Sequence, residues 1–365
     1  MKRLGQHYIK HLECDILLTL RCYHLTEMAN SKIRNVLGEI VDAQSPIIIS
    51  ASRSTDIPAF YSDWFLSRLK AGYSVWVNPF NGVRSYVAYD NVRLIVFWSK
   101  NPEHLLDEGG LLDYLELKGI NCYVQYTLNN YVLEKLEPGV PSVYKRIDTF
   151  KRLVDKLGFG LVIWRFDPLI LTDKISVDDL LEKTRIIGDQ LKGYTEKMIF
   201  SYADISSYQR VKVHLDKCGI RYQEFDSHNM IRFAEGLQHL NNNWNYTLAT
   251  CAEKIDLDKF GVVHNKCIDD DLMIRHFSDD AILMDFLGIT IENDLFEGRS
   301  VTPKKTRKDK GQRLYCGCVT SKDIGEYNTC IHMCEYCYAN SGRDSALANF
   351  KKNRQVIDSE TITGK

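Results

Sequence analysis

Between Pro46 and Cys251 the chain alternates short apolar runs, rich in β-branched and aromatic residues, with segments of helical period. No other feature limits the fold as much. Strands are predicted at Ile47–Ser50, Ser74–Val77, Leu94–Trp98, Cys122–Leu128, Leu161–Phe166, Met198–Tyr202 and Tyr246–Thr250. Helices are predicted between them at Tyr61–Ala71, Ser142–Leu157, Val177–Leu191, Tyr208–Lys217 and His228–Asn241, with Ser142 as an N-cap and Gly158 as a stop. Apolar strands separated by helices imply a parallel sheet buried on both faces. Seven such units, with no Gly-x-Gly-x-x-Gly after the first strand, favour an α/β fold of the TIM-like (β/α) barrel kind over a dinucleotide-binding sheet. The eighth strand is unsettled, Val262–His264 being the candidate, so the barrel is expected complete or incomplete.

The 365 residues, 44% hydrophobic with eight prolines, are enough for a large core and exclude wholesale disorder. Lys and Arg number 47 against 48 Asp and Glu, which argues against a broad surface for coating nucleic acid. That balance conceals a local asymmetry. Residues 269–298 carry nine acids and one Arg, and residues 299–313 carry seven basic residues and one acid. The basic stretch reads as a solvated linker or as a strip contacting phosphate groups of a nucleotide or nucleic acid. No apolar run nears the roughly 18 residues that cross a bilayer, so no membrane partner is expected and the location is read as cytoplasmic.

In a reducing compartment eleven cysteines are not expected to be disulfides. Cys14, Cys22, Cys122 and Cys218 lie in or near apolar segments and read as small buried hydrophobes. The last third differs: Cys316 and Cys318 form C-G-C, followed by Cys330-Ile-His-Met-Cys334-Glu-Tyr-Cys337. Zinc favours paired C-x2-C knuckles, whereas C-x3-C-x2-C can occupy three corners of a [4Fe–4S] cluster and leave one iron without a protein ligand. A structural zinc site on the trio and a fourth thiolate is the alternative. His332, inside the trio, reads as a solvated residue or as a donor to a neighbouring ligand. Cys251, Cys267, Cys316 and Cys318 make a further four thiolates, enough for a second iron–sulfur cluster or a zinc ion.

Cys330–Cys337, with Tyr336 in the aromatic place beside the cofactor, resembles the cluster motif of radical S-adenosylmethionine (SAM) enzymes. The wider stretch from Cys316 to Asn340 resembles the C-terminal signature of the bacterial family known as domain of unknown function 1848. So do S-A-S-R-S-T-D-I-P-A-F-Y-S at Ser50–Ser62, N-P-F-N at Asn78–Asn81, V-F-W-S-K-N-P at Val96–Pro102 and W-R-F-D-P at Trp164–Pro168. C-A-E at Cys251–Glu253 and C-I-D at Cys267–Asp269 agree with it too. The resemblance implies no established reaction, only a cysteine cluster likened to that of radical SAM enzymes. The family pattern begins near the first strand, so residues 1–45 are expected to be an N-terminal extension, with Met28 an internal start. Residues 46–290 are then the barrel, 291–345 the basic linker and cysteine segment, and 346–365 a polar, frayed tail.

In such a barrel chemistry sits at the carboxyl ends of the strands. Arg53, Asp56, Lys100, Arg165 and Asp167 follow predicted strands there and are the candidate catalytic residues, although Arg53–Asp56 and Arg165–Asp167 also read as structural ion pairs. A C-terminal loop returning beside the first strand brings Cys330, Cys334 and Cys337 to that rim. The leading expectation is a radical-SAM-like iron–sulfur enzyme that binds a [4Fe–4S] cluster and S-adenosylmethionine and takes electrons from a flavodoxin or ferredoxin. The Gly-Gly-Glu segment that receives the methionyl amine in radical SAM enzymes is not evident after the second strand. The alternatives are a SAM-independent electron-transfer or redox-sensing protein, and a zinc-stapled hydrolase or nucleic-acid-binding module.

Overall fold

The computed structural model describes residues 29–294, 298–303, 308–309, 311–313 and 315–365. Its centre is an eight-stranded parallel sheet. The strands are β1 (Ile48–Ala51), β2 (Leu94–Ser99), β3 (Asn121–Thr127), β4 (Val162–Leu169), β5 (Lys197–Tyr202), β6 (Thr247–Thr250), β7 (Val262–His264) and β8 (Lys322–Asp323). Their order is β7-β6-β5-β4-β3-β2-β1-β8, and every neighbouring pair is parallel. The fold is therefore α/β with a large parallel sheet, and the ladder is not closed, since β7 and β8 do not pair. The segments beyond them do meet: Val319 N donates to Ile268 O at 3.1 Å.

Period-two alternation sorts the strand residues onto two faces. Ile49, Phe97, Val124, Trp164 and Phe200 pack with Phe65, Phe150, Ile187 and Phe233 of the covering helices. Ile48, Val96, Tyr123, Ile163 and Ile199 face Leu272, Met273, Leu283 and Met284. Those partners come from two short helices, Asp270–Phe277 and Ala281–Leu287, each N-capped by an aspartate (Asp269 and Asp280). Both faces are dry, which is why the strands read as unbroken apolar runs. Ser142 caps Val143–Leu157 as expected, accepting from Lys145 N, and Gly158 ends that helix.

Two expectations need correction. Ser74–Val77, expected as the second strand of the central sheet, belongs to strand Tyr73–Val77 of a separate four-stranded sheet with Ala29–Arg34, Ile40–Ser45 and Arg84–Ala88. It pairs antiparallel with Arg84–Ala88, across a turn that contains Asn78. The same sheet takes up residues 29–45 of the expected extension; residues 1–28, Met28 among them, lie outside the described residues. The polar tail is not frayed. Helix Arg343–Gln355 sets Phe350 against Phe60 and Tyr61, and Thr361 and Thr363 are fully buried. Polar residues serve inside here because each finds a partner: Thr363 donates through N and Oγ1 to Glu326, both at 2.8 Å, and Trp64 Nε1 donates to Ser359 O.

Candidate functional site

At the carboxyl ends of the central strands lies a cavity of about 570 Å³, into which all seven candidate cysteines open, with Arg53, Asp56, Lys100, Arg165, Asp167 and Tyr336. The loop carrying Cys330, Cys334 and Cys337 is held against β1 and its following turn. Thr55 Oγ1 and Thr329 Oγ1 are 2.8 Å apart, and Tyr61 OH donates to Thr329 O at 2.7 Å. Gly139 N donates to His332 O at 2.9 Å, and a Cβ on Gly139 would stand 2.7 Å from that oxygen, so only glycine admits the loop. Asp323 of β8 accepts from Ser50 Oγ, Ser52 Oγ and Arg53 N at 2.8–2.9 Å, which binds the approach to the loop to β1.

Asp56 does not pair with Arg53. It caps Ile57–Phe60 through Ala59 N, accepts from Lys100 N at 2.8 Å, and lies 2.7 Å from His332 Nε2. His332 is therefore neither solvated nor a free ligand: it is buried, its other nitrogen 3.2 Å from Gly139 O. Lys100 Nζ donates to Glu137 Oε1 at 2.7 Å and to Tyr336 OH at 3.0 Å; Tyr336 OH and Asn129 Nδ2 also donate to that carboxylate. Burial alone would raise the Glu137 carboxyl, but Lys100 and Arg146 hold it down at about 2. Burial opposes the Lys100 charge as well, and Glu137 and Cys334 outweigh it.

The second cysteine group surrounds Cys267, just after β7. Its sulfur lies 3.6 Å from Cys251 Sγ and accepts from Arg165 Nη1 at 3.0 Å and Asn265 Nδ2 at 3.1 Å. Cys318 Sγ accepts from Cys267 N at 3.2 Å and Ile268 N at 3.3 Å. A hydrogen bond from Cys318 brings the Cys316 thiol down to about 7 despite burial. Arg165 also pairs with Asp167, which accepts from Ser201 Oγ on its other oxygen. The guanidiniums of Arg53 and Arg165 lie over the Trp98 indole, 5.1 and 5.2 Å from its centroid. Arg53 Nη2 is buried without a hydrogen-bond partner; burial opposes the Arg53 cation, and Asp323, followed by charge on Cys318, Cys267 and Cys316, outweighs it. Two arginines thus stand beside one thiol group and a lysine beside the other, as anionic thiolates require.

The donor set can be tested against candidate metals. Sulfurs on one tetrahedral zinc lie about 3.8 Å apart, from a Zn–S distance of about 2.3 Å. Among the described residues no three of the seven sulfurs lie within 4.8 Å of one another. Cys330 and Cys337 nonetheless lie close enough for their charges to add to burial in raising the Cys334 thiol. The trio thus does not show single-ion spacing, and three thiolates from one loop are the donor set that a [4Fe–4S] cluster would take. In the second group only Cys251 and Cys267 have single-ion spacing, so it offers one close thiol pair rather than a formed four-ligand site.

Sequence reasoning missed Glu137, Asn129 and Asp323. Glu137 and Asn129 lie in a loop without periodicity, and Asp323 lies in a two-residue strand too short to leave a pattern. Of the other cysteines, Cys122 is buried as expected, Cys218 is exposed instead, and Cys14 and Cys22 lie outside the described residues. Part of the basic stretch, 304–307 and 310, also lies outside them, whereas Gln312 and Arg313 line the cavity. No described helix is long and apolar enough to cross a membrane. No curated protein and no solved structure matches the chain. A family model described as domain of unknown function 1848 matches residues 48–339, well over half of the chain. The chain therefore belongs to that family.

Proposed function

We propose that this protein is a radical-SAM-like iron–sulfur enzyme, with Cys330, Cys334 and Cys337 holding a [4Fe–4S] cluster. One observation carries the reading: both cysteine groups, each with its own cation, open into one cavity at the carboxyl end of a parallel sheet. We read that sheet as a (β/α) barrel left open between β7 and β8, because β8 lies beside β1 and Val319 bonds to Ile268 across the gap. When bound, a cluster with one iron free of protein ligands, together with S-adenosylmethionine, supplies one-electron reduction and hydrogen-atom abstraction.

The chain's own residues bind, orient and exclude water. Asp56 and Gly139 fix His332 and with it the turn between Cys330 and Cys334. Lys100 supplies positive charge beside Cys334, and the Glu137–Tyr336–Asn129 network holds Lys100 in place. Arg53, Arg165 and Arg313 make the other wall cationic, which suits an anionic substrate such as a nucleotide or nucleic acid. The second group, Cys251, Cys267, Cys316 and Cys318, takes a second cluster or a zinc ion. A small electron donor of the flavodoxin or ferredoxin kind is the partner, and the cytoplasm is the compartment this chemistry requires.

The test is anaerobic purification and reconstitution, followed by EPR of the reduced protein with and without S-adenosylmethionine. An iron–sulfur signal that changes on adding it, with formation of 5′-deoxyadenosine, is the expected result. A signal indifferent to it favours SAM-independent electron transfer. Zinc without iron overturns the cluster.

A further inference from the structure

A third group of metal-ligating side chains lies outside the cavity. His214 sits in the last turn of helix Gln209–Lys217 and Cys218 is its C-cap, so residues four apart present both side chains on one side. Facing them is Glu335, between Cys334 and Tyr336 in the cluster loop. His214 Nε2 lies 2.7 Å from Glu335 Oε2, and Cys218 Sγ donates to the same oxygen at 3.2 Å. The three ligand atoms all lie within 4.8 Å of one another. Glu335 Oε1 is taken by Arg343, and Glu335 N donates to Leu136 O at 2.9 Å, so the carboxylate is anchored with one oxygen turned to the pair.

We propose that His214, Cys218 and Glu335 bind a divalent zinc ion that staples this helix to the loop carrying the cysteine trio. The donor set selects the metal. Imidazole nitrogen and thiolate sulfur beside one carboxylate oxygen suit zinc and exclude magnesium and calcium, which take oxygen. Zinc displaces the Cys218 thiol proton to solvent and leaves His214 neutral, with Nε2 as the ligand. Among the described residues three protein ligands converge, and Cys218 is exposed, so water completes the tetrahedron. Arg343 holds the carboxylate from behind, as partners of metal ligands do.

The site is separate from the seven cavity cysteines, and so is its test. Anaerobically purified full-length protein is titrated with Zn²⁺ against a chromophoric chelator, beside Cys218→Ser, His214→Ala and Glu335→Gln. Wild type binds one equivalent more than the first two variants, and Glu335→Gln binds that equivalent at least about tenfold more weakly. With Co²⁺ as probe, wild type shows tetrahedral d–d bands and a thiolate charge-transfer band that Cys218→Ser lacks. The Cys330→Ala/Cys334→Ala/Cys337→Ala protein retains both the extra equivalent and the bands. Equal zinc uptake by wild type, Cys218→Ser and His214→Ala, with circular dichroism showing all three folded, overturns the proposal. Loss of iron from the triple variant with the extra zinc retained supports it and leaves the cluster reading standing; wild type without iron but with that zinc overturns the cluster reading alone.

Discussion

The two cysteine groups share a cavity but are assembled in opposite ways. Cys330, Cys334 and Cys337 are contiguous in sequence, and their loop is held from outside by Thr55, Tyr61, Asp56 and Gly139. Cys251, Cys267, Cys316 and Cys318 come from separate segments, yet Cys251 and Cys267 are in contact and Cys318 caps the turn that carries Cys267. Spacing along the chain therefore reports a site that one loop builds, and is silent on a site that strand order builds. The electrostatics diverge in the same way. Burial pushes Cys330 and Cys334 up, and Lys100 beside the trio is committed to a buried carboxylate. The second group has two arginines, and although Cys251, Cys267 and Cys318 are raised there too, Cys316 is brought down to about 7.

The sharpest break is to remove one group and keep the other. Cys334→Ala should abolish 5′-deoxyadenosine formation, and elemental analysis of Cys334→Ala/Cys218→Ser, in which the His214 site is emptied as well, tells whether the second group holds iron or zinc. If Cys334→Ala keeps wild-type iron and the same EPR signal, the trio is not the cluster site. Next in size is the charge network beside the trio. Lys100→Met leaves buried Glu137 its hydrogen bonds from Tyr336 and Asn129 but only one nearby cation, Arg146, 4.0 Å from its second oxygen, and should cost about 3 kcal/mol in urea unfolding, as breaking a buried ion pair does. A variant that unfolds at the wild-type midpoint would show that Arg146 alone suffices.

The five helices predicted between the strands and most of the central strands were legible because a sheet buried on both faces leaves a continuous apolar record, and the cysteine trio because its thiols share one loop. The small sheet was not: Tyr73–Val77 has the same composition as a central strand, and only its antiparallel partner Arg84–Ala88 distinguishes it. Nor was the tail, because Asn353, Thr361 and Thr363 are polar in composition yet buried by specific hydrogen bonds. The convergence of Cys251 and Cys267 with Cys316 and Cys318 depends on the contact between the segments after β7 and before β8, which no local pattern encodes.

Thiol reactivity sharpens the contrast without disturbing the fold. In metal-free, reduced protein, Cys316 should alkylate with iodoacetamide with a midpoint near pH 7, while Cys330, raised by burial, should react on the order of a hundredfold more slowly at that pH. Peptide mapping by mass spectrometry reads both sites in one sample. Equal rates would mean that the hydrogen bond between Cys318 and Cys316 does not form in solution.

The smallest effect separates two carboxylates, one beside each group. Glu137, held at about 2, stabilises the fold above its ordinary value of 4.5, and that contribution is lost as pH falls toward 2. Glu253, two residues after Cys251, accepts from Tyr202 N at 2.9 Å, but burial raises it to about 7 from the same 4.5. Between those values the folded protein binds a proton that the unfolded chain releases. The Glu253 contribution is therefore complete below about pH 4.5 and is lost as pH rises through 7. Glu253→Gln removes that slope, so its stability relative to wild type should rise by about 1–2 kcal/mol between pH 5 and pH 8, after allowance for partial exposure. Thermal or urea unfolding at the two pH values measures it. An unchanged difference would place the Glu253 proton in solvent and remove the asymmetry between the two walls of the cavity.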